Sequence, residues 1–338
     1  MIVVLRSDAT EAQIKHIISK VKKLGLKPMI SRGTERTIIG VIGDEDILRS
    51  QPIEVVPGVE KVMPVLSPYK LVSREFKQEN SIVDAGPNAK FGSKKIIIAA
   101  GPCSVESYES LLKIAKAAKK AGATMLRGGA FKPRTSPYSF QGLGEEGLKY
   151  LNQVGKSVGL SVVTELMDVR HIDLVEQYAD VIQIGARNMQ NFDLLKEIGH
   201  SKKPVMLKRG MMSTVKEWLM SAEYILASGN FNVILCERGI RTFENSTRFT
   251  MDVNAIPLAK QLSHLPVIAD PSHATGKWNL VTPAAKAAIA AGADGLIVEV
   301  HTNPEEALSD GVQSLLPEKF SDMVSEVGKI AKAVGREI

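Results

Sequence analysis

Cys103, Arg127, Glu165, Arg187, Lys208, Arg238, Asp270, His273, Glu299 and His301 each close or follow a short apolar run. The runs are IIIAAGPC, ATMLRGG, LSVVTE, VIQIGAR, PVMLKR, NVILCER, PVIADPSH and GLIVEVH. PVMLKR also delivers Arg209, and NVILCER delivers Glu237. A thiolate, an imidazole and carboxylates are donors for a divalent ion, and a mixed S/N/O set suits a first-row transition ion better than Mg or Ca. Arg and Lys recognise phosphate and carboxylate through charge-assisted hydrogen bonds. Metal chemistry on anionic substrates is therefore the first expectation.

Side chains so far apart in sequence need a scaffold that gathers strand ends. From residue 96 onward, apolar strands alternate with amphipathic helical patterns over 106–121, 145–158, 168–178, 191–198, 214–228, 246–262, 280–291 and 317–334. That rhythm predicts a parallel (β/α)8 barrel with its site at the C-terminal mouth. An open doubly wound sheet is disfavoured, because no G-x-G-x-x-G turn follows the first strand.

Residues 1–66 read as β-α-β-β-α-β, a ferredoxin-like pattern. MIVVL is a strand, and a helix over 10–24 starts at the cap Thr10 and stops at Gly25. KPMIS and RTIIGVIG pair, DEDILRSQ is a short helix, and VEKVMPVL closes the unit. Edge strands and grooves of such a unit suit a small ligand or a second copy. Residues 67–95 are a linker, ending in a hairpin about Gly86-Pro87-Asn88 that is expected to cap the barrel floor. Residues 96–338 are the catalytic barrel.

With 338 residues, 44% hydrophobic and 24% charged, the chain has room for one barrel and a small second domain. No apolar stretch reaches a membrane span, and the N-terminus lacks the pattern of a signal peptide. Two Cys cannot form a disulfide framework, so a reducing, cytoplasmic setting is expected. The net charge of +6 does not point to nucleic acid, because the helices mix signs and no nucleic-acid motif is present.

Each residue also has a plain structural reading. A solitary Cys is most often a small core hydrophobe, and Cys236 fits that description better than Cys103. His273 in DPSH can be a structural histidine, and Asp310 in ALSDGVQSL a turn residue before Gly311. Glu299 is harder to dismiss, since a carboxylate buried in a strand without a partner costs several kcal/mol. The loop LRGGAFKPRTSPYSFQGLG sets Arg127, Lys132, Arg134, Thr135 and Ser136 among stiffening prolines, which resembles a phosphate clamp more than a solvated basic loop. Arg187, Lys208 and Arg238 at neighbouring strand ends would repel one another unless an anion lies between them. Lys208 alone also permits a Schiff-base aldolase.

AGPCSVES, LRGGAFKPRTSPYSFQGLG, IQIGARNMQN, LKRG, CERGIRTFE, DPSH and VEVH…ALSDGVQSL closely resemble the type I, beta subclass of 3-deoxy-D-arabino-heptulosonate 7-phosphate (DAHP) synthase. The resemblance covers nearly the whole chain, including PYKLVSREF of the linker. It implies condensation of phosphoenolpyruvate with erythrose 4-phosphate, the entry step to aromatic amino acids. It implies that Cys103, His273, Glu299 and Asp310 bind a divalent transition metal (Mn, Fe, Co or Zn). Phosphoenolpyruvate would be held by Arg127, Lys132, Arg187, Lys208 and Arg238, with the Ala186 backbone near its phosphate. Arg134, Thr135 and Ser136 match the segment that receives erythrose 4-phosphate. Lys132, Glu165 and Asp270 are the expected catalytic helpers: a proton carrier, a group steering water, and a support behind the metal ligands. His301 shares the strand face of Glu299. The N-terminal domain resembles one that senses Tyr or Phe, and a homotetramer is expected.

The nearest rival is 3-deoxy-octulosonate 8-phosphate synthase, which uses arabinose 5-phosphate. Its family pattern carries Lys-Ala-Asn-Arg where this chain has Lys132-Pro133-Arg134-Thr135, and loss of the amide favours the shorter sugar. A non-enzymatic, ligand-sensing barrel would need decayed site residues. A fused chorismate mutase would need an all-helical N-terminus.

Overall fold

The computed structural model describes residues 1–33, 36–43, 47–48, 51–63, 68–132, 136 and 138–338. It divides into two compact units: Met1–Asn80 with Gln261–His264, and Ser81–Lys260 with Leu265–Ile338.

In the first unit, β1 (Ile2–Leu5), β2 (Lys27–Arg32), β3 (Thr37–Ile42) and β4 (Val59–Met63) form an antiparallel sheet in the order β2-β3-β1-β4. Helix α1 (Glu11–Lys23) begins in a capping box, where Thr10 accepts from the Gln13 amide and the Gln13 side chain accepts from the Thr10 amide. Its buried face, Ile14, Ile17 and Val21, has helical spacing and joins Val3, Leu5, Ile39 and Val41 in one core. The sheet order and antiparallel pairing are those of the ferredoxin-like pattern. Of the helix expected in DEDILRSQ, Ile47 and Leu48 are helical and most other positions lie outside the described residues.

In the second unit a short hairpin, β5 (Val83–Asp84) and β6 (Lys90–Phe91), precedes eight parallel strands. These are β7 (Ile97–Gly101), β8 (Met125–Arg127), β9 (Ser161–Leu166), β10 (Val181–Ile184), β11 (Val205–Lys208), β12 (Val233–Glu237), β13 (Val267–Ala269) and β14 (Gly295–Glu299). Each pairs with its sequence neighbour and β14 pairs with β7, so the sheet closes. Val83, Ala85, Ala89 and Phe91 of the hairpin share one core with Ile97, Ala99, Met125, Val163, Val181, Met206, Ile234, Cys236, Ile268 and Ile297. The hairpin therefore plugs the barrel floor with apolar side chains, and Cys236 is core filler.

The surrounding helices are α2 (Tyr108–Lys120), α3 (Glu145–Val158), α4 (Ile172–Tyr178), α5 (Phe192–Ile198), α6 (Val215–Ser228), α7 (Ala255–Leu262), α8 (Pro271–Thr275), α9 (Trp278–Ala290) and α10 (Pro317–Ala333). In α2, Leu111, Ile114, Ala115 and Ala118 form the buried stripe and Ser107 caps the N-terminus. In α6, Thr214 and Glu217 form a capping box.

Two helical readings are corrected. The helix expected over 246–262 starts only at Ala255, whose amide is taken by the Asp252 carboxylate. Residues 248–250 instead bond Thr275, Ala274 and Ile240 through the backbone. The five-residue α8 was not anticipated, although its signals are present: Asp270 as cap, Pro271 in the first turn, and left-handed Gly276 at the end. No described helix is long and apolar enough to cross a membrane.

Candidate active site

Strand alternation selects which side chains reach the mouth. Met125, Val163, Met206, Cys236, Ile268 and Ile297 line the barrel interior near its floor. Two residues further along each strand, in the same phase, stand Arg127, Glu165, Lys208, Arg238, Asp270 and Glu299. Beyond β7, Cys103 continues the phase set by Ala99. The polar mouth is thus the upward continuation of an apolar interior.

Cys103, His273, Glu299 and Asp310 converge. One donor atom from each lies within 4.8 Å of all the others. The Cys103 thiol is 3.3 Å from Asp310 Oδ2, and His273 Nε2 is 3.4 Å from Glu299 Oε1 and 3.9 Å from Asp310 Oδ2. His273 is supplied by α8, Glu299 by β14, and Asp310 by the following loop, where its backbone is left-handed at φ 52°. Asp tolerates that conformation better than most residues.

Burial, reinforced by Glu299, pushes the Cys103 thiol up to about 11, against the pull of Lys132 and Arg127. Burial likewise lowers His273, favouring the neutral imidazole that metal ligation requires. Burial would raise Asp310, but the Arg248 guanidinium and His273 outweigh it and hold the carboxyl at about 2. One thiol, one imidazole and two carboxylates in a partly buried cluster fit a divalent transition ion.

Cations crowd the same mouth. Arg127 Nη1 donates to Glu299 Oε1 at 3.1 Å and to the Pro102 carbonyl at 2.8 Å. Lys132 Nζ lies 3.0 Å from Cys103 Sγ and donates to the Cys103 carbonyl at 3.1 Å. Lys208 donates to Asp270, whose other oxygen accepts the His273 amide at 2.9 Å. His273 Nδ1 is also 2.9 Å from Asp270 Oδ2, though off the line of a hydrogen bond. Burial alone would raise Asp270, yet His273 and Lys208 hold it well below the usual carboxylate range.

Arg238 packs over Phe249, its guanidinium carbon 4.0 Å from the ring centre. Burial lowers its pKa, and its buried Nη1 has no hydrogen-bond partner among the described residues. A buried guanidinium with an unused donor is set to receive an anion. Arg127, Lys132 and Glu165 line one small recess with Gln183, and a side chain at Gly185 would collide with the Glu165 carboxylate.

Not every expected residue joins this group. Arg187, on the 3-10 turn Ala186–Asn188, is exposed, with no hydrogen bond or ion pair to a described residue. Ser136 is exposed, and Arg134 and Thr135 lie outside the described residues. Arg209 and Glu237, grouped with the mouth by sequence position, are in the opposite strand phase. Arg209 bonds Glu237 at 2.9 Å and Asp252 at 2.8 Å, a buried network apart from the four donors. His301 stands 3.5 Å from Glu106, whose carboxylate also accepts the Leu308 amide.

Sequence reasoning missed Arg248 and Gln313. Both sit in loops without an apolar period, so only the fold reveals their contacts. Arg248 Nη1 lies 3.3 Å from Asp310 and Gln313 Nε2 donates to Glu299 at 2.8 Å.

The DAHP synthetase I family model matches residues 78–334, and the DAHP synthase ferredoxin-like domain model matches residues 1–67. The chain is 52% identical to phospho-2-dehydro-3-deoxyheptonate aldolase of Thermotoga maritima over 338 residues, 100% of both chains. It is 33% identical to 2-dehydro-3-deoxyphosphooctonate aldolase of Desulfatibacillum aliphaticivorans, over 73% of this chain and 95% of that one. The crystal structure of the Thermotoga maritima DAHP synthase matches with a TM-score of 0.79 at 51% identity, over 99% of this chain and 98% of that one. A truncated form of the Thermotoga maritima synthase matches with a TM-score of 0.74 at 50% identity, over 79% of this chain and 98% of that one.

Proposed function

The chain belongs to the DAHP synthetase I family and is an enzyme of the DAHP synthase class, and from that premise we propose that it condenses phosphoenolpyruvate with erythrose 4-phosphate in a metal-dependent reaction. The observation that carries this reading is the convergence of Cys103, His273, Glu299 and Asp310 within 4.8 Å, beside buried Arg127, Lys132, Lys208 and Arg238. When bound there, a divalent Mn, Fe, Co or Zn ion supplies Lewis acidity to the acceptor's aldehyde oxygen.

The chain's own residues do the rest. Arg127, Lys132, Lys208 and Arg238 grip the carboxylate and phosphate of phosphoenolpyruvate and aim its C3 at the aldehyde carbon. Arg187 and the Ala186 backbone complete that grip from their turn. Arg134, Thr135 and Ser136 receive the phosphate of erythrose 4-phosphate. As the C3–C1 bond forms, C2 develops positive character and takes up water, and phosphate leaves by C–O cleavage. Glu165 steers or deprotonates that water, and Lys132 exchanges a proton with the reacting groups. Asp270 fixes Lys208 and His273.

The test is phosphate release from phosphoenolpyruvate with erythrose 4-phosphate or arabinose 5-phosphate, before and after chelation. Release with the four-carbon sugar, lost in chelator and restored by manganese, supports the proposal. Preference for arabinose 5-phosphate would move the chain to the octulosonate reaction. Full activity in chelator with borohydride trapping at Lys208 would replace the metal mechanism with a Schiff base.

We read the first unit as a regulatory domain that binds Tyr or Phe between subunits of a cytoplasmic homotetramer. Its support is a cavity of about 620 Å³ bounded by Ser31, Arg36, Ile38, Lys61 and Phe76, which offers apolar surface and cations to an aromatic amino acid. Deleting residues 1–66 is expected to abolish inhibition by Tyr and Phe. Unchanged inhibition would overturn that reading.

A further inference from the structure

Each carboxylate of the four-donor cluster has one oxygen facing the cluster and one held from outside. Glu299 Oε1 faces His273 and also accepts from Arg127 Nη1 at 3.1 Å, while Oε2 accepts from Gln313 Nε2 at 2.8 Å. Asp310 Oδ2 faces Cys103 and His273, while Oδ1 lies 3.3 Å from Arg248 Nη1. The two outer partners also touch: Arg248 Nη1 donates to Gln313 Oε1 at 2.8 Å. Glu299, Gln313, Arg248 and Asp310 therefore form one continuous arc around the cluster.

The arc is anchored at both ends. Gln313 is buried, on the 3-10 turn Gly311–Gln313 that directly follows left-handed Asp310. Arg248 is carried by a segment whose Arg248 and Phe249 amides donate to the carbonyls of Thr275 and Ala274 at 3.0 and 2.9 Å. Those two carbonyls end the short helix that presents His273. A movement of Arg248 would thus be felt at Asp310, at Gln313 and at the helix carrying the imidazole.

We propose that Gln313 and Arg248 are positioning residues that fix Glu299 and Asp310 as one-oxygen ligands, by occupying the oxygen of each that a chelating carboxylate would turn inward. The proposal rests on the metal-site reading above. Its physical logic is that hydrogen bonds to the far side of a ligand set its orientation, and that losing such a partner typically costs about 10–100-fold in metal affinity. Because both residues belong to one arc, their effects should not add.

The test uses the full-length protein loaded with Co²⁺ alone, followed by titration of thiolate-to-cobalt absorption, which reports Cys103 without turnover. Wild type and Cys103→Ala establish whether the metal site exists. No thiolate band in wild type would overturn the metal-site reading and this proposal with it. With the band present in wild type and absent in Cys103→Ala, the proposal predicts that Gln313→Met and Arg248→Met each bind Co²⁺ about 10–100-fold more weakly while keeping the band. The double variant should lose little beyond the weaker single. Arg248→Lys, which keeps charge at the half-exposed position, should recover part of the loss. Binding within twofold of wild type for both single variants would overturn the proposal while leaving the metal site standing. Fully additive losses would overturn the arc as a unit. Since Arg248 is partly exposed, its variants keep the test available should a Gln313 variant fail to fold.

Discussion

Lys208, on β11, donates a hydrogen bond to Asp270 just beyond β13, spanning the intervening strand β12. The same carboxylate accepts the His273 amide, so one buried acid ties the ammonium of the anion site to the helix that presents the imidazole. Asp270→Asn keeps the shape but removes the charge. It should lower metal affinity about 10–100-fold, and turnover with it, because the imidazole and the ammonium lose their common anchor. Metal titration and steady-state phosphate release check this. Unchanged values for both would show that Asp270 merely fills space.

Glu165 predicts a different signature. It shares a recess with Arg127 and Lys132 but is not one of the four donors. Glu165→Gln should lower kcat by about 10²–10⁴-fold, the range of general acid–base catalysis, with metal binding intact. Wild-type turnover in that variant would remove Glu165 from the mechanism.

Arg209, Glu237 and Asp252 should matter for stability before activity. Glu237 is fully buried, and burial raises its pKa despite the opposing guanidinium. Arg209→Met strands that carboxylate and should cost about 3–5 kcal/mol in urea denaturation, the usual penalty for breaking a buried pair. A cost below about 1 kcal/mol would mean that the network is solvated in solution.

His264 gives the first unit an acid sensitivity. Its Nε2 lies 2.8 Å from the Leu71 carbonyl, which requires the neutral ring to carry its proton there. Burial depresses its pKa from 6.5 to about 4. Above pH 6.5 both folded and unfolded forms are neutral and the contact is fully present. Between 6.5 and about 4 the unfolded chain takes up the proton first, so stability is lost as the pH is lowered through that window, by up to about 3 kcal/mol. Melting temperatures across that window should fall in wild type and stay flatter in His264→Gln. Parallel curves would refute the assignment.

Much of this was legible in the sequence for one reason: a barrel strand displays its inward phase as a two-residue alternation. The apolar runs ending at Arg127, Glu165, Lys208, Arg238 and Glu299 announced both the scaffold and the mouth. Adjacent residues were harder to sort, because sequence position alone does not say which of Lys208 and Arg209, or Glu237 and Arg238, takes the inward phase. The helix expected from residue 246 was misplaced because tertiary backbone bonds to Thr275, Ala274 and Ile240 claim residues 248–250. Arg248 and Gln313 carry no period at all. Their partners lie in distant loops, and only folding brings them to Asp310 and Glu299.

X-ray absorption of the zinc-loaded protein measures the proposed centre itself. One sulfur at about 2.3 Å with nitrogen and oxygen donors at about 2.0–2.2 Å is the predicted shell, with the sulfur lost in Cys103→Ala. A shell of light atoms only, unchanged by that substitution, would contradict a single cation held jointly by Cys103, His273, Glu299 and Asp310.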